Sequence, residues 1–448
     1  MSTKHARIGH TRAAAALLVI LLSANGPSAF ATSAGVCYAD YSVESAPPIT
    51  GDLTLGQVLD AVRRASPATR IAALESVAAH HDAAQASRRN NPTLSVETEN
   101  IVGNAPFGGF DAAESTFALS QTFRLGNKRR LEARAAQARA ALTDSGTLVV
   151  LRAAELEASR RFFEFAAASA VAQSAETILD LSEAFGEAVA QLVDAGKSRP
   201  ADLARSRAAT ARARAVAADA RANAASSRYA LSRLWGDSAP SFDAPTADLD
   251  APVALPFDAN PAALIERHPQ VAAAVAGEAA RQAEFRFSRS LAYPDLTVGV
   301  GVRRFETAGE ALVANISVPL PLFDRNQDAI NAARVRIEGA QTGAAAVRLA
   351  LTTELSQALV RARGAESRRA ALLDEALPAA ESAERAIREG FVAGKFDLTT
   401  ALAARSALID VRIETIEAGL DARLVETEVR ALASTAPFDV SECGGDLR

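Results

Sequence analysis

Aromatic residues, methionine, tryptophan and cysteine are all scarce in this chain of 448 residues. Phe, Trp and Tyr together make up 5% of it, and there are one Met, one Trp and two Cys. The hydrophobic fraction is nevertheless 49%, and much of it is alanine. Alanine lets helices approach closely but fills little volume in a broad core. The composition therefore favours long, thin packing of helix against helix, and its apolar content excludes intrinsic disorder.

Basic blocks, histidine clusters and catalytic motifs are missing as well. The chain has 48 Lys+Arg against 53 Asp+Glu, a net charge of −5. Binding nucleic acid requires a clustered positive face, so a nucleic-acid partner is disfavoured. Beyond the N-terminal segment only His80, His81 and His268 remain, and they form no closed set of metal ligands. There is no phosphate-binding loop and no nucleophile elbow. We therefore expect neither an enzyme nor a bound cofactor.

Long hydrophobic runs are limited to the N-terminus. Lys4, Arg7 and Arg12 precede an uncharged run over Ala13–Leu22, and small residues follow through Ala34. This is the layout of a secretory signal peptide, although a buried N-terminal helix is the alternative. We predict that residues 1–34 are removed on export. No other stretch is long enough for a transmembrane helix.

The two cysteines stand near opposite ends of the exported chain. Residues Ala34–Val36 before Cys37 lack the order of a lipoprotein site, so acylation is not expected. An oxidising compartment favours a disulfide between Cys37 and Cys443 over two free thiols.

The sequence is an internal duplication. Pro92 recurs as Pro294, an offset of 202, and Gly196 recurs as Gly394, an offset of 198. The difference falls in or near the Gly-rich stretch Val102–Glu114, which indicates a surface loop. The predicted organisation is a signal peptide (1–34), an N-terminal arm (35–52), a first repeat (53–240), a linker (241–260), a second repeat (261–435) and a C-terminal tail (436–448).

Each repeat has the same predicted order of elements: a helix, two short strands, a very long helix and a return helix. The strands show apolar residues at every second position over about nine residues, the length of a tilted transmembrane strand. Heptad-like spacing in the long helices is typical of a coiled-coil seam. The predicted helices are Leu53–Arg89, Asn127–Asp194 and Pro200–Trp235, then Pro261–Ser288, Asn326–Val392 with a kink at Pro378, and Leu398–Ala433.

Two junctions between strand and long helix show a family resemblance. Phe123-Arg-Leu-Gly-Asn-Lys-Arg129, and more specifically Val318-Pro-Leu-Pro-Leu-Phe-Asp-Arg-Asn-Gln327, resemble outer membrane efflux proteins of the TolC type, in particular the CzcC-like heavy-metal branch. Asp328 departs from the glycine usual there. Independently, the prolines are expected to end the strand, and Asp324 with Gln327 has capping-box spacing. The candidate junction residues are Leu125, Gly126, Lys128, Arg129, Pro319, Pro321, Phe323, Asp324 and Asn326.

The turns that end the two long helices are the second candidate site. In the family that the chain resembles, such tips form the periplasmic entrance and meet the adaptor. Any helical hairpin also needs a turn of this kind, so capping alone is the alternative. Related channels often carry an acidic residue where this chain has Ala403, so no aspartate ring is inferred. The candidate tip residues are Gly196, Lys197, Arg199, Asp202, Gly394, Lys395 and Asp397.

The predicted fold is mainly α with a small β part. Four strands cannot stand open in a bilayer, and three copies would supply the twelve strands of a closed barrel. The resemblance implies a homotrimer in outer membrane lipid, an α-helical barrel in the periplasm, and export of heavy-metal cations with an adaptor and an RND-type inner membrane pump. Drug efflux and type I protein secretion remain open as functions. A periplasmic adaptor and a coiled-coil structural protein are alternatives of another class.

Overall fold

The computed structural model of the protein describes residues 48–104, 107, 112–255, 260–306 and 308–433. The predicted signal peptide, both cysteines and the C-terminal tail lie outside these residues. The helices are α1 (Leu55–Ala65), α2 (Pro67–Ala86), α3 (Lys128–Asp194), α4 (Pro200–Ser232), α5 (Pro261–Ile265), α6 (Pro269–Ser290), α7 (Gln327–Ala370), α8 (Leu377–Val392) and α9 (Leu398–Ala433). The strands are β1 (Thr50–Leu53), β2 (Thr93–Glu99), β3 (Glu114–Phe123), β4 (Ser241–Pro245), β5 (Leu296–Phe305) and β6 (Gly309–Ser317).

A proline divides the first helix of each repeat, so the predictions of one helix over Leu53–Arg89 and of one helix over Pro261–Ser288 were both wrong. Ser66 has an extended ψ of 122° between α1 and α2, and His268 has 137° between α5 and α6. The residue before a proline is pushed out of the α region by its ring, which ends the helix there. Leu53 also belongs to β1, and Thr54 begins α1 with a capping box.

The long helices follow the prediction closely. Helix α3 runs without interruption for 67 residues, about 100 Å at the α-helical rise. In the second repeat a six-residue π-helical turn, Ala371–Ala376, separates α7 from α8 immediately before Pro378. Proline cannot donate to the carbonyl of residue i−4, and the wider turn accommodates that missing bond. The return helix α4 continues as a 3₁₀ turn to Trp235, and α9 has the predicted bounds.

A short strand lies inside the predicted linker. Strand β4 pairs in parallel with β1, and the Thr246 N–H donates to the Leu53 carbonyl at 2.8 Å. Phe242 of β4 is fully buried in a cluster with Val58 and Phe162. This cluster attaches the beginning of the first repeat to the middle of α3.

The other four strands form one antiparallel sheet in the order β2-β3-β5-β6. Each repeat contributes one hairpin, and ten residue pairs of β3 and β5 join the hairpins, from Glu114–Phe305 to Phe123–Leu296. The predicted strand pairs are therefore confirmed. Strands β2 and β6 are the edges, each with one strand partner in the described chain.

Candidate functional site

One face of the four-stranded sheet is apolar and exposed. The strand register places Leu94 opposite Leu119, which is opposite Val300. The exposed fractions reach 70% for Leu94, 75% for Ile316 and 89% for Leu312. Side chains two residues apart share a face, so the predicted alternating positions meet on one surface. The apolar residues of this face are Leu94, Val96, Phe117, Leu119, Phe123, Leu296, Val298, Val300, Val302, Leu312, Ala314 and Ile316. Gln121, opposite Val298, is a polar residue on the same face.

The opposite face is polar and carries an ion-pair cluster. Arg303 contacts Glu114 at 3.1 Å and Glu99 at 3.3 Å, and it donates to the Thr116 hydroxyl at 2.9 Å. Glu99 and Glu114 are directly opposite each other, a like-charge pair that the guanidinium offsets. The sequence reasoning did not identify this cluster, because its members are far apart in the chain and meet only through the strand register.

In both junctions the chain changes direction at an asparagine in the left-handed conformation. Asn127 has φ +59° directly before α3, and Asn326 has φ +60° directly before α7. Asparagine tolerates this region better than other residues with a side chain. The Asn326 amide donates to the Ser288 carbonyl at 2.8 Å, while in the first repeat Arg129 donates to the Ser87 carbonyl at 2.9 Å. Each junction is thus tied to the end of the helix that precedes its hairpin.

The capping box predicted for Asp324 and Gln327 is not the arrangement found. Asp324 accepts from the Asn326 N–H at 2.7 Å, and the Gln327 side chain accepts from the Arg325 N–H at 2.9 Å. The helix begins at Gln327 with Asn326 as its N-cap, which is two positions too late for Asp324 to be the N-cap. Since Asn326 already turns the chain by its positive φ, Asp324 closes an Asx turn before the helix.

The first junction contacts the second repeat through a buried charge. The Lys128 Nζ lies 2.7 Å from Asp295 Oδ1, and the lysine side chain is only 7% exposed. Gly126 has φ +67°, and a Cβ there would lie 2.8 Å from the Tyr293 ring. Glycine is therefore required at 126 both for its conformation and for the close approach of Tyr293.

The second junction is short and apolar on its outside. Neither Pro319 nor Pro321 lies in β6, which ends at Ser317. The Leu322 N–H donates to the Leu320 carbonyl at 2.9 Å, a three-residue turn. Phe323 is 94% exposed, and Leu125 of the first junction is also exposed.

The two hairpin tips are built alike. The Lys197 N–H donates to the Leu192 carbonyl at 2.8 Å, and the Lys395 N–H donates to the Gly390 carbonyl at 2.8 Å. With Gly196 at φ +69° and Gly394 at φ +74°, each helix ends in a Schellman motif. Both lysines are exposed beside these turns.

An aspartate begins the return helix at each tip, from a different position. Asp202 accepts from the Arg199 N–H at 3.2 Å, whereas Asp397 accepts from the Thr400 N–H at 2.8 Å. The hydrogen bond from the Arg199 side chain lowers the pKa of Asp202, and the Thr400 hydroxyl chiefly lowers the pKa of Asp397. Arg199 also lowers the pKa of Asp397 by its charge. The helix ends behind the two tip turns pack together, since Val189 and Leu192 share a hydrophobic cluster with Leu398.

A hydrophobic cluster joins the hairpins just behind the tips. The rings of Phe185 and Phe391 are 5.2 Å apart, and Val189 and Leu398 are buried beside them. Arg405 lies over the Phe185 ring at 5.9 Å, and burial lowers the pKa of its guanidinium. The role of Arg405 was not predicted, because its contact with Phe185 joins segments that are far apart in the sequence.

The described residues contain no group of three or more His, Cys, Asp or Glu positioned to hold a metal ion. His80 Nε2 lies 3.1 Å from Asp144 Oδ2, and His268 Nδ1 accepts from the Gln270 N–H at 3.3 Å. Burial lowers the pKa of His268. Among the described helices, none combines the length and hydrophobicity needed to cross a membrane.

The amino-acid sequence is similar to those of known proteins. The model of the outer membrane efflux protein family matches residues 260–434. The cobalt-zinc-cadmium resistance protein CzcC of Cupriavidus metallidurans is 31% identical over 303 residues, which cover 67% of this chain and 72% of that protein. The nickel and cobalt resistance protein CnrC of the same organism is 37% identical over 287 residues, covering 63% of this chain and 67% of CnrC.

Structural comparison gives the same fold. A crystal structure of CusC, from work on its folding and transmembrane channel formation, superimposes with a TM-score of 0.73. It is 17% identical and covers 86% of this chain and 93% of the CusC chain. The chain has the fold of these channels and, by its similarity to CzcC and CnrC, belongs to the outer membrane efflux protein family.

Proposed function

We propose that three copies of the chain close their sheets into a twelve-stranded barrel in the outer membrane, continued by a periplasmic barrel of helices. The main support for this proposal is the four-stranded sheet, which is apolar on one face and polar on the other and has β2 and β6 as its edges. Unpaired backbone groups are costly in hydrocarbon, and closure with other copies satisfies them. The apolar face then contacts lipid and the polar face lines the lumen.

The proposed cargo is heavy-metal cations, which the names of CzcC and CnrC indicate for those relatives. The channel conducts them passively, and an inner membrane pump of the RND type supplies the energy. On the polar face, Glu99 and Glu114 share the single charge of Arg303, so this part of the lumen carries net negative charge. Exposed carboxylates attract hydrated cations without holding them.

Loss of the gene is expected to lower tolerance to cobalt, zinc, cadmium or copper and to leave tolerance to hydrophobic antibiotics unchanged. The measurement compares growth of the deletion strain, the parent and the complemented strain over a series of metal and antibiotic concentrations. Unchanged metal tolerance with increased antibiotic sensitivity would overturn the cargo proposal in favour of drug export. A defect in protein release alone would favour type I secretion.

The hairpin tips are proposed to meet a periplasmic adaptor. The helix ends behind the two turns pack together, and Lys197, Lys395 and Arg199 are exposed at the turns. Their aspartates are already engaged in helix capping, so the exposed basic side chains and the turn shape are what a partner contacts.

Replacing Gly394 with valine should weaken adaptor docking about fivefold or more, since a left-handed valine costs about 1–2 kcal/mol and the turn rearranges to avoid it. The readout is the yield of crosslinks between the channel and the adaptor encoded with it, together with metal efflux. Gly236→Val is the matched control, because Gly236 also has a positive φ of 82° and open space around it but lies beyond the other end of α4. Normal docking by Gly394→Val, or equal loss in both variants, would count against the tip assignment.

A further inference from the structure

Six arginines lie in the segments that connect the sheet to the helices. They lie after α2, in the first turns of α3 and α7, at the end of α6 and beside Phe323, all within about 10 Å along the helices from the strand connections. All are exposed. This set, the basic collar, consists of Arg89, Arg130, Arg134, Arg289, Arg325 and Arg334.

The collar carries uncompensated positive charge. None of its six arginines forms an ion pair within the described chain; Arg289 lies over the Phe285 ring and Arg325 donates to the Pro321 carbonyl. The neighbouring carboxylates of Glu132, Glu284 and Asp295 are already paired with other basic residues. Among the described residues of these segments, Asp324, Asp328 and, one turn after Arg334, Glu338 add exposed negative charge, fewer than the six arginines.

An apolar surface borders the collar on the side of the sheet. Exposure is 74% for Leu320, 68% for Leu322 and 94% for Phe323, and these residues follow directly on the apolar face of β6. Tyr293, at the equivalent end of β5, is 60% exposed. Apolar and aromatic side chains beside unpaired arginines match the boundary between acyl chains and headgroups.

We propose that the basic collar binds the phosphate headgroups of anionic phospholipids in the periplasmic leaflet, with Leu322 and Phe323 inserted among their acyl chains. The inference rests on the proposed membrane position of the sheet and adds a lipid preference to it. Arginine is well suited to phosphate because its planar fork donates two parallel hydrogen bonds. Several arginines beside one leaflet select anionic over zwitterionic lipid.

The test uses a single tryptophan placed in the apolar border. Trp235 is the chain's one tryptophan, so Phe323→Trp in a Trp235→Phe background gives one reporter. The protein is reconstituted in phosphatidylcholine vesicles with a minor fraction of dibrominated phosphatidylglycerol or of dibrominated phosphatidylcholine. These probes share acyl chains and differ only in the headgroup. We expect phosphatidylglycerol to quench about threefold more, because anionic lipid is enriched at the collar.

The collar variant Arg130→Gln/Arg134→Gln/Arg334→Gln should lose this preference. Its control is Arg205→Gln/Arg207→Gln/Arg212→Gln, which removes three exposed arginines from α4 near the tip. Equal quenching by both lipids in the parent, or equal loss in the control, would overturn the headgroup proposal while leaving the membrane position intact. No quenching by either lipid would overturn both. Counting phospholipids retained in native mass spectra repeats the comparison without any tryptophan change.

Discussion

Replacing Gly301 with alanine is expected to reduce assembly of the channel. A Cβ at Gly301 would press on the Phe117 carbonyl oxygen and lie 2.8 Å from the Ala118 Cα, both backbone atoms of the neighbouring strand. These atoms belong to the β3–β5 ladder that joins the two repeats, so they cannot move without breaking hydrogen bonds between them. Overpacking of this kind costs about 1–3 kcal/mol, which lowers the ratio of folded to unfolded chains at least fivefold.

The measurement is the amount of detergent-resistant oligomer in the outer membrane fraction. Gly299→Ala is the matched control, two residues away on the same face of β5. Its Cβ would lie 3.3 Å from the Ser120 Cβ and 3.7 Å from the nearest backbone atom, the Leu119 carbonyl oxygen, so a shift of a few tenths of an ångström is enough. We expect nearly normal assembly of this variant. Equal assembly of both variants would show that the close approach of β3 and β5 at Gly301 is not required for folding and assembly.

Replacing Asp295 is expected to destabilise the protein more than replacing Lys128, its partner in the partly buried ion pair. Asp295→Asn leaves the lysine charge buried without a counter-charge, and we expect it to lower the free energy of unfolding by about 3 kcal/mol. Lys128→Met removes the buried charge and leaves an aspartate that is 34% exposed and can be hydrated. Its expected cost is about 1 kcal/mol.

Thermal or denaturant unfolding of both single variants and of the double variant measures this asymmetry. The double variant Lys128→Met/Asp295→Asn should resemble Lys128→Met, because the asparagine no longer faces a charge. A larger cost for Lys128→Met than for Asp295→Asn would contradict the assignment of Lys128 as the buried partner.

The elements with a strong periodic pattern could be predicted from the sequence. The alternation from Phe117 to Phe123 and from Leu312 to Ile316 depends only on the period of a strand, and the register confirms that these residues share a face. The bounds of α9 were predicted because Gly394 ends the preceding helix. Because each of these elements occurs in both repeats, the two copies supported the same assignment.

Features that depend on contacts between distant segments could not be predicted. Strand β4 is five residues long, and its pairing with β1 across the first repeat has no local signal. The cluster around Arg303 requires the strand register. At Asp324 the spacing matched a capping box, but the positive φ of Asn326 moved the helix start and left the aspartate a different bond. The effect of Pro67 on its helix was a missed local rule.

The number of chains in the detergent-solubilised particle tests the proposed closed barrel most directly. Native mass spectrometry of protein extracted from outer membranes gives this number without assuming a shape. We predict three copies of the exported chain, which aggregate when detergent is removed because the apolar face is then exposed to water. A monomer that stays soluble without detergent would contradict the account.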